Sequence, residues 1–171
     1  MSKEYDKLLR CYHSVREKIS FEPQVALILG SGLGDYAEQV QVEAVLDYHD
    51  IEGFPVSTVL GHKGRFVFGY IQNVPVVIMQ GRVHFYEGYD MHDVVLPTRL
   101  MGMLGAKVLF LTNAAGGMQK GMHAGEVVKE KKTAAPFVVT FIFIGYASRN
   151  TRWDKTETHK ASQWLARFYI F

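Results

Sequence analysis

Short apolar runs alternate with polar and glycine-rich segments along most of the chain. Apolar residues between Leu8 and Ile19 recur at helical spacing, which predicts an amphipathic helix that stops before Pro23. Four later apolar runs are bounded by glycine, proline or polar turn residues, as the strands of a buried sheet are. They are 25–29, 64–71, 76–79 and 107–112. A short helix is predicted at 35–40 and a longer one at 96–104.

This mixture of helices and strands predicts an α/β protein. Two of the predicted strands run directly into glycine-rich segments, 30–34 and 113–117. We expect each segment to form a turn at the carboxyl end of its strand. Open α/β sheets bind their ligands in such turns, so these two segments are the first places to look for a site.

The composition of the whole chain is that of an ordinary globular protein. Of 171 residues, 48% are apolar and 21% are charged, and the net charge of +2 is too small to indicate a nucleic-acid or membrane partner. Cys11 is the single cysteine, so no internal disulfide is expected. Without a signal-peptide core or an apolar run of the ~20 residues that span a bilayer, we expect a cytoplasmic protein.

The composition changes near Val128. Residues 129–171 contain eight Lys or Arg and three Asp or Glu. Residues 1–128 contain 11 Lys or Arg and 14 Asp or Glu, so the charge changes from acidic to basic. We therefore expect 1–128 to be the N-terminal part of one domain and 129–171 to be a divergent basic and aromatic tail. With 43 residues, the tail is near the lower limit for independent folding, so a second domain is not expected. A change of reading frame near Val128 is an alternative origin for it.

The glycine-rich segment 30–34 has the chemistry of an anion-binding loop. Glycines let backbone N–H groups approach an anion, and Ser31 adds a hydroxyl donor. Two alternatives stay open from the residues alone. The segment can be a tight turn without a ligand, or a variant of the dinucleotide-binding fingerprint, from which its G-x-G-x-G spacing departs.

A second candidate segment, 81–89, follows the third predicted strand. Arg82 offers a planar, fixed-charge fork that suits phosphate, and an extended backbone would place His84 and Tyr86 on the same side. A cation, a titratable donor and an aromatic hydroxyl in one row could hold an oxyanion and a sugar beside it. The alternative is a solvated edge row with Tyr86 packed down.

Two further segments are weaker candidates. His62 lies in a polar loop from which it could reach an anion, or it is simply solvated. The small residues of 112–117 leave room for a flat ligand and expose backbone N–H groups. No metal site is expected, because the possible His and Glu pairs lack a third partner in the sequence. A serine hydrolase is not expected either, because Ser31 lacks the G-x-S-x-G elbow.

Four of these segments together resemble the trimeric purine nucleoside phosphorylases. The resemblance covers about residues 5–128, and it is the order and spacing of the four segments that make it specific. They are 27–34, 61–69, 79–89 and 111–117. The resemblance implies a mixed open sheet flanked by helices. This sheet would be of the nucleoside phosphorylase type and incomplete at its C-terminal end.

The same resemblance implies an activity and a set of site residues. Such enzymes use inorganic phosphate to cleave the bond between a purine and ribose or deoxyribose, releasing the free base and a pentose 1-phosphate. His84 and Arg82 match catalytic positions of the family. Inorganic phosphate is a co-substrate, and the reaction needs no organic cofactor or metal. The positions matching the phosphate site are Ser31, His62, Arg82, His84 and the backbone of Ala114. Those matching the nucleoside site are Tyr86, Ala115 and Gly116. The expected assembly is a homotrimer with its active site near an interface.

The resemblance stops near Val128. The carboxylate and asparagine that bind the purine in this family, and a second phosphate-binding serine, have no match in 129–171. The principal hypothesis is a purine nucleoside phosphorylase. The alternative is an inactive truncated or frame-shifted remnant that at most binds phosphate. For the isolated chain we expect greatly reduced or absent activity.

Overall fold

A computed structural model describes residues 2–30, 33–58, 63–116, 127–134 and 137–146, with side chains through Asn113. Seven strands form one sheet, in the spatial order β2-β3-β4-β1-β5-β7-β6. The strands are β1 (Val25–Ile28), β2 (Gln41–Asp47), β3 (Arg65–Ile71), β4 (Val74–Gln80), β5 (Val108–Gly116), β6 (Val127–Ala134) and β7 (Phe137–Tyr146). β4, β1, β5 and β7 run parallel, whereas β2, β3 and β6 pair antiparallel to their neighbours. The sheet is therefore mixed and open, as expected.

Two α-helices cover one face of this sheet. They are α1 (Lys3–Arg16) and α2 (Met91–Met103), and they pack with alternate side chains of β1, β3 and β4 into one core. Phe66 and Phe68 of β3 are fully buried in it, beside Leu100 of α2. Burying side chains of this size stabilises a fold by about 1.5–3 kcal/mol each. Lys7 and Asp93 form a 2.5 Å ion pair between the two helices.

The opposite face of the sheet is covered by a short 3-10 helix, Gly34–Gln39. Tyr36 and Ala37 of that helix pack on Val25 and Leu27 of β1, whose other residues point towards α1 and α2. Because β1 is buried on both faces, its sequence is continuously apolar. The predicted helix at 35–40 is confirmed in position, as a 3-10 helix.

Three features of the fold differ from the sequence-based expectations. β2 was not predicted, because it is an exposed edge strand in which a bulge between Val42 and Ala44 breaks the alternation. β5 continues to Gly116 instead of turning after Thr112, because the 112–116 stretch pairs with β7 in parallel register. Thirdly, the chain after β4 turns into a one-turn 3-10 helix at Phe85–Glu87, where an extended row was predicted.

The sheet also extends past Val128. β6 crosses that position and runs to Ala134, and β7 follows as the parallel neighbour of β5. Within the part of the chain that the structure describes, no helix is both long and apolar enough to cross a bilayer.

Candidate functional site

Sheet topology brings the candidate segments to one edge. β4, β1 and β5 are parallel neighbours, so their carboxyl ends, and the segments that follow β1 and β4, lie side by side. β3 runs antiparallel to β4, and its first residue, Arg65, pairs with Gln80 at the end of β4. Gly64, which directly precedes β3, therefore lies at the same edge, where its N–H donates to the Gln80 carbonyl. Four segments that are far apart in sequence converge there, which is where open α/β sheets bind ligands.

Gly30 fixes the end of β1 against β5. Its N–H donates to Thr112 Oγ1 at 2.8 Å, and that hydroxyl donates to the carbonyl of Ile28 at 3.1 Å. A Cβ on residue 30 would lie 2.6 Å from the Thr112 carbonyl oxygen, which no real Cβ tolerates. Only glycine lets the two strand ends approach this closely. Ser31, the predicted phosphate ligand that follows, lies outside the described residues.

Gln80 ties three of the converging segments together. Its side-chain amide donates to the carbonyl of Gly34 at 2.7 Å, and its side-chain oxygen accepts from Arg65 Nε at 2.8 Å. Gln80 is only 2% exposed, so both bonds are shielded from water. They hold the end of β4, the start of β3 and the end of the 30–34 segment in fixed relative positions.

Tyr48 supports the segment that follows β4. It is fully buried among aromatic side chains, and its hydroxyl donates to the carbonyl of Gly81 at 2.8 Å. Burial raises the pKa of this hydroxyl well above its usual value, so it stays a donor. The backbone beside Arg82 is thereby anchored to the core.

Arg82 is half-buried at the start of this segment. Burial lowers the pKa of its guanidinium, and the nearby Tyr86 acts in the opposite direction. Arginine starts from so high a pKa that the side chain stays charged. The segment thus presents a partly desolvated cation at the carboxyl edge, where an anion would interact with it more strongly than in open solvent.

His84 is oriented by Glu87. The Glu87 Oε1 atom accepts from the His84 backbone N–H at 2.7 Å and lies 3.0 Å from the ring Nδ1. This reciprocal arrangement caps a one-turn 3-10 helix, Phe85–Glu87. A carboxylate on Nδ1 favours the tautomer with a proton on that nitrogen, and it leaves Nε2 on the opposite side of the ring.

The Glu87 carboxylate is strongly held in its ionised form. Its side chain is 2% exposed, and burial alone would raise its pKa. Hydrogen bonds from the Thr58 backbone, the His84 ring, the His84 backbone and the Thr58 hydroxyl outweigh burial and lower the pKa to about 2. Glu87 is therefore a carboxylate at any pH at which the protein would work.

The extended row predicted for residues 82–86 is wrong in its geometry. The chain turns into the 3-10 helix at Phe85, and both Phe85 and Tyr86 are exposed, at 63% and 74%. Even so, the rings of His84 and Tyr86 stack, with centroids 4.7 Å apart and 22° between their planes. The helical turn brings these two rings together face to face, which an extended strand would not do.

The remaining predicted site residues are described in part or not at all. Ala114, Ala115 and Gly116 belong to the last residues of β5 at the same edge, described as backbone only. His62 lies outside the described residues, in the segment that precedes β3. Among the residues with described side chains, no group of three His, Cys, Asp or Glu lies close enough together to hold a metal ion.

Sequence reasoning missed Glu87 and its supports, Ser57 and Thr58. The signal for Glu87 was the H-x-x-E spacing from His84, because residues three apart meet in a helical turn. No sequence signal could have identified Ser57 and Thr58, since Thr58 lies 29 positions before the carboxylate that it contacts.

A surface cleft of about 320 Å³ lined by Tyr36, Ile71 and Asn73 lies at the other end of β3 and includes none of the predicted site residues.

These features define a class: an open α/β sheet whose candidate site, with an arginine and an oriented histidine, lies at the carboxyl edge of its parallel strands. The model of the phosphorylase superfamily matches residues 24–134. The chain belongs to that superfamily. The match includes the whole of β6 and ends at its last residue, Ala134.

Relatives and solved structures agree with this assignment. Purine nucleoside phosphorylase 1 of Bacillus subtilis is 45% identical over 123 residues, which are 72% of this chain and 45% of the relative. Purine nucleoside phosphorylase of Rattus norvegicus is 41% identical over 72% of this chain and 43% of the relative. The crystal structure of the Schistosoma mansoni enzyme with acetate matches with a TM-score of 0.68 and 39% identity, over 72% of this chain and 46% of that one. The chain spans less than half the length of these relatives.

Proposed function

We propose that this chain acts as a purine nucleoside phosphorylase and that the described residues form the phosphate and pentose side of its site. The observation that carries the proposal is the His84–Glu87 pair beside Arg82 at the carboxyl edge of the sheet. The proposal is supported by relatives that bear this name in bacteria and animals. One similar solved structure, 40% identical, is a purine nucleoside phosphorylase in complex with ribose-1-phosphate.

The reaction is an exchange at C1′ of the pentose. The bond between C1′ and the purine nitrogen breaks, and its electron pair leaves with the purine, which takes up a proton. A phosphate oxygen forms the new bond to C1′ from the opposite face, giving the pentose 1-phosphate. Because C1′ becomes cation-like during this exchange, an anion held against it lowers the barrier both by position and by charge.

Each candidate residue has a role in this scheme. Arg82 and His84 bind the phosphate. Arg82 donates through its guanidinium fork, and His84 Nε2, the acceptor of the tautomer protonated on Nδ1, accepts the hydrogen of a P–OH group. Ser31, His62 and the backbone N–H of Ala114 complete the phosphate site. Tyr86, stacked on His84, lies against the pentose, and Ala115 and Gly116 form the floor beneath the base.

The rest of the proposal concerns the setting of the reaction. Phosphate is a co-substrate, and the exchange at C1′ calls for neither a metal nor an organic cofactor. The protein is a cytoplasmic homotrimer with the site near an interface. No residue of this chain is assigned to activation of the leaving base.

The test is phosphorolysis of inosine by the purified full chain. Hypoxanthine release is followed with an oxidase-coupled absorbance assay, with and without phosphate. Arg82→Ala should lower kcat/KM about 10²- to 10³-fold, the usual effect of removing one donor to a developing charge. Arg99→Ala is the matched control, because Arg99 is exposed on α2, and it should behave as the unmodified chain does.

Phosphate binding, measured by calorimetry on the same samples, separates the two halves of the proposal. Binding that Arg82→Ala abolishes, without any hypoxanthine, would restrict the chain to phosphate recognition. A folded chain that neither binds phosphate nor releases hypoxanthine would contradict the proposal entirely.

A further inference from the structure

Two hydroxyl residues hold the far oxygen of the Glu87 carboxylate. Oε2 accepts from the Thr58 N–H at 2.6 Å, from Thr58 Oγ1 at 3.0 Å and from Ser57 Oγ at 3.2 Å. The near oxygen, Oε1, contacts the His84 backbone N–H and ring. One carboxylate thus makes five hydrogen bonds with three residues. Its two oxygens bind to different segments of the chain.

We propose that Thr58, assisted by Ser57, is a positioning residue that fixes the Glu87 carboxylate so that Oε1 holds the His84 ring in its phosphate-binding orientation. This inference rests on the proposed function, because that function supplies the ligand for His84. The hydrogen bonds that the structure describes for Thr58 go to the Glu87 carboxylate. Thr58 acts on His84 through Glu87.

The geometry explains why such a residue is needed. A glutamate side chain has three rotatable bonds, and the one-turn helix that carries Glu87 contains no fully buried residue. With Oε1 alone engaged, the carboxylate could turn out of the plane of the imidazole. The three donors on Oε2 remove that freedom, because a carboxylate bound at both oxygens has its plane and its direction fixed.

The pairing also connects two parts of the site. Thr58 directly precedes residues 59–62, which include His62, whereas Glu87 belongs to the segment that carries Arg82 and His84. The hydrogen bonds between them therefore join residue 58 to the segment that carries Arg82 and His84. Among the described residues, His84 is the titratable side chain that hydrogen-bonds Glu87, and the two hydroxyl residues stay neutral.

The experiment compares Thr58→Val, which keeps the shape but loses the hydroxyl, with Thr58→Ser, which keeps the hydroxyl. Carbon-13 NMR follows the titration of the Glu87 carboxyl, and nitrogen-15 NMR reports the hydrogen bond at His84 Nδ1. In the valine variant, we expect the Glu87 titration to rise from about 2 by a small step towards 4.5, because the stronger hydrogen bond from the Thr58 N–H remains. We also expect the Nδ1 hydrogen-bond signature to weaken, and phosphate affinity at pH 7 to fall about fivefold to tenfold. The serine variant should retain all three properties.

A valine variant with unchanged Glu87 titration and an unchanged Nδ1 signal would overturn the inference. So would a shifted titration with an unchanged Nδ1 signal, because the hydroxyl would then stabilise Glu87 without positioning His84. If the unmodified chain binds no phosphate, the proposed function fails, but the two NMR readouts still decide the positioning role. Should Thr58→Val fail to fold by circular dichroism, Ser57→Ala is the milder variant and should give the same changes in smaller size.

Discussion

Replacing Glu87 with glutamine should destabilise the protein in a way that depends on pH. Glutamine keeps the size of the side chain, but its amide nitrogen cannot accept any of the hydrogen bonds that converge on this carboxylate. The stabilising contacts of Glu87 favour its ionised form, as the lowering of its pKa to about 2 indicates. The variant removes that preference.

The expected magnitude follows from the pKa shift. The pKa of Glu87 in the folded protein, about 2, lies about 2.5 below the ordinary value of 4.5. At about 1.36 kcal/mol per unit, the difference amounts to roughly 3 kcal/mol. Thr58, which supplies two of the hydrogen bonds, is exposed, so solvent screens part of this interaction and we take about 2 kcal/mol as the expected loss at pH 7.

The sign of the pH dependence is fixed by the direction of the shift. Because the folded pKa lies below the unfolded one, the stabilisation is complete above about pH 4.5 and is lost as the pH falls towards 2. Urea unfolding, followed by circular dichroism between pH 7 and pH 3, measures the gap between the unmodified chain and Glu87→Gln. We expect a gap of about 2 kcal/mol above pH 5 that narrows steadily below pH 4.5.

Glu38→Gln is the matched control. Glu38 pairs with Lys63 at 2.7 Å, but its side chain is 62% exposed, so its removal should leave the unfolding free energy nearly unchanged. A gap for Glu87→Gln that stays constant from pH 7 to pH 3 would show that the variant merely disturbs packing. No gap at pH 7 would refute the stabilising role of the ionised carboxylate.

Two further predictions concern close packing of backbone around the sheet. A Cβ added to Gly69 would lie 2.2 Å from a carbonyl oxygen of β2, so Gly69→Ala should lower the free energy of unfolding by several kcal/mol and move the urea midpoint down. Gly34→Ala is the comparison. Among the described residues, Gln80 Nε2 would be the nearest to its new Cβ, at an ordinary 4.0 Å, so the free energy of unfolding should change little. Thr112→Val removes a hydroxyl that bridges two buried backbone groups of β1, so it should cost about 1–3 kcal/mol in the same assay. Equal midpoints for the two alanine variants, or an unchanged valine variant, would contradict these expectations.

The amino-acid pattern by itself determined most of the buried strands, the first helix and the candidate segment 81–89. Residues buried on both faces of a sheet are apolar at every position, so strands such as β1 and β4 are visible as continuous runs. The helix now seen as α1 was visible from its spacing. The segment 81–89 was found because arginine, histidine and tyrosine at short spacing form a chemically unusual set, and that holds whatever their exact geometry.

Only the tertiary structure decided how the site is built. An edge strand such as β2 buries few side chains, so its pattern is weak, and its bulge hides the alternation that remains. Pairing between β5 and β7 extends β5 through a stretch whose small residues alone favour a turn. Local sequence cannot specify a partner on a distant segment.

The course of the chain at 84–87 shows the same division. Alternating residues favoured an extended row, but hydrogen bonds from Thr58 and His84 to one carboxylate stabilise a helical turn instead. The sequence determined which chemical groups are present, because each is encoded at its own position. Which groups meet was decided by the fold, because the contact between Thr58 and Glu87 exists only once the sheet has brought their two segments to one edge.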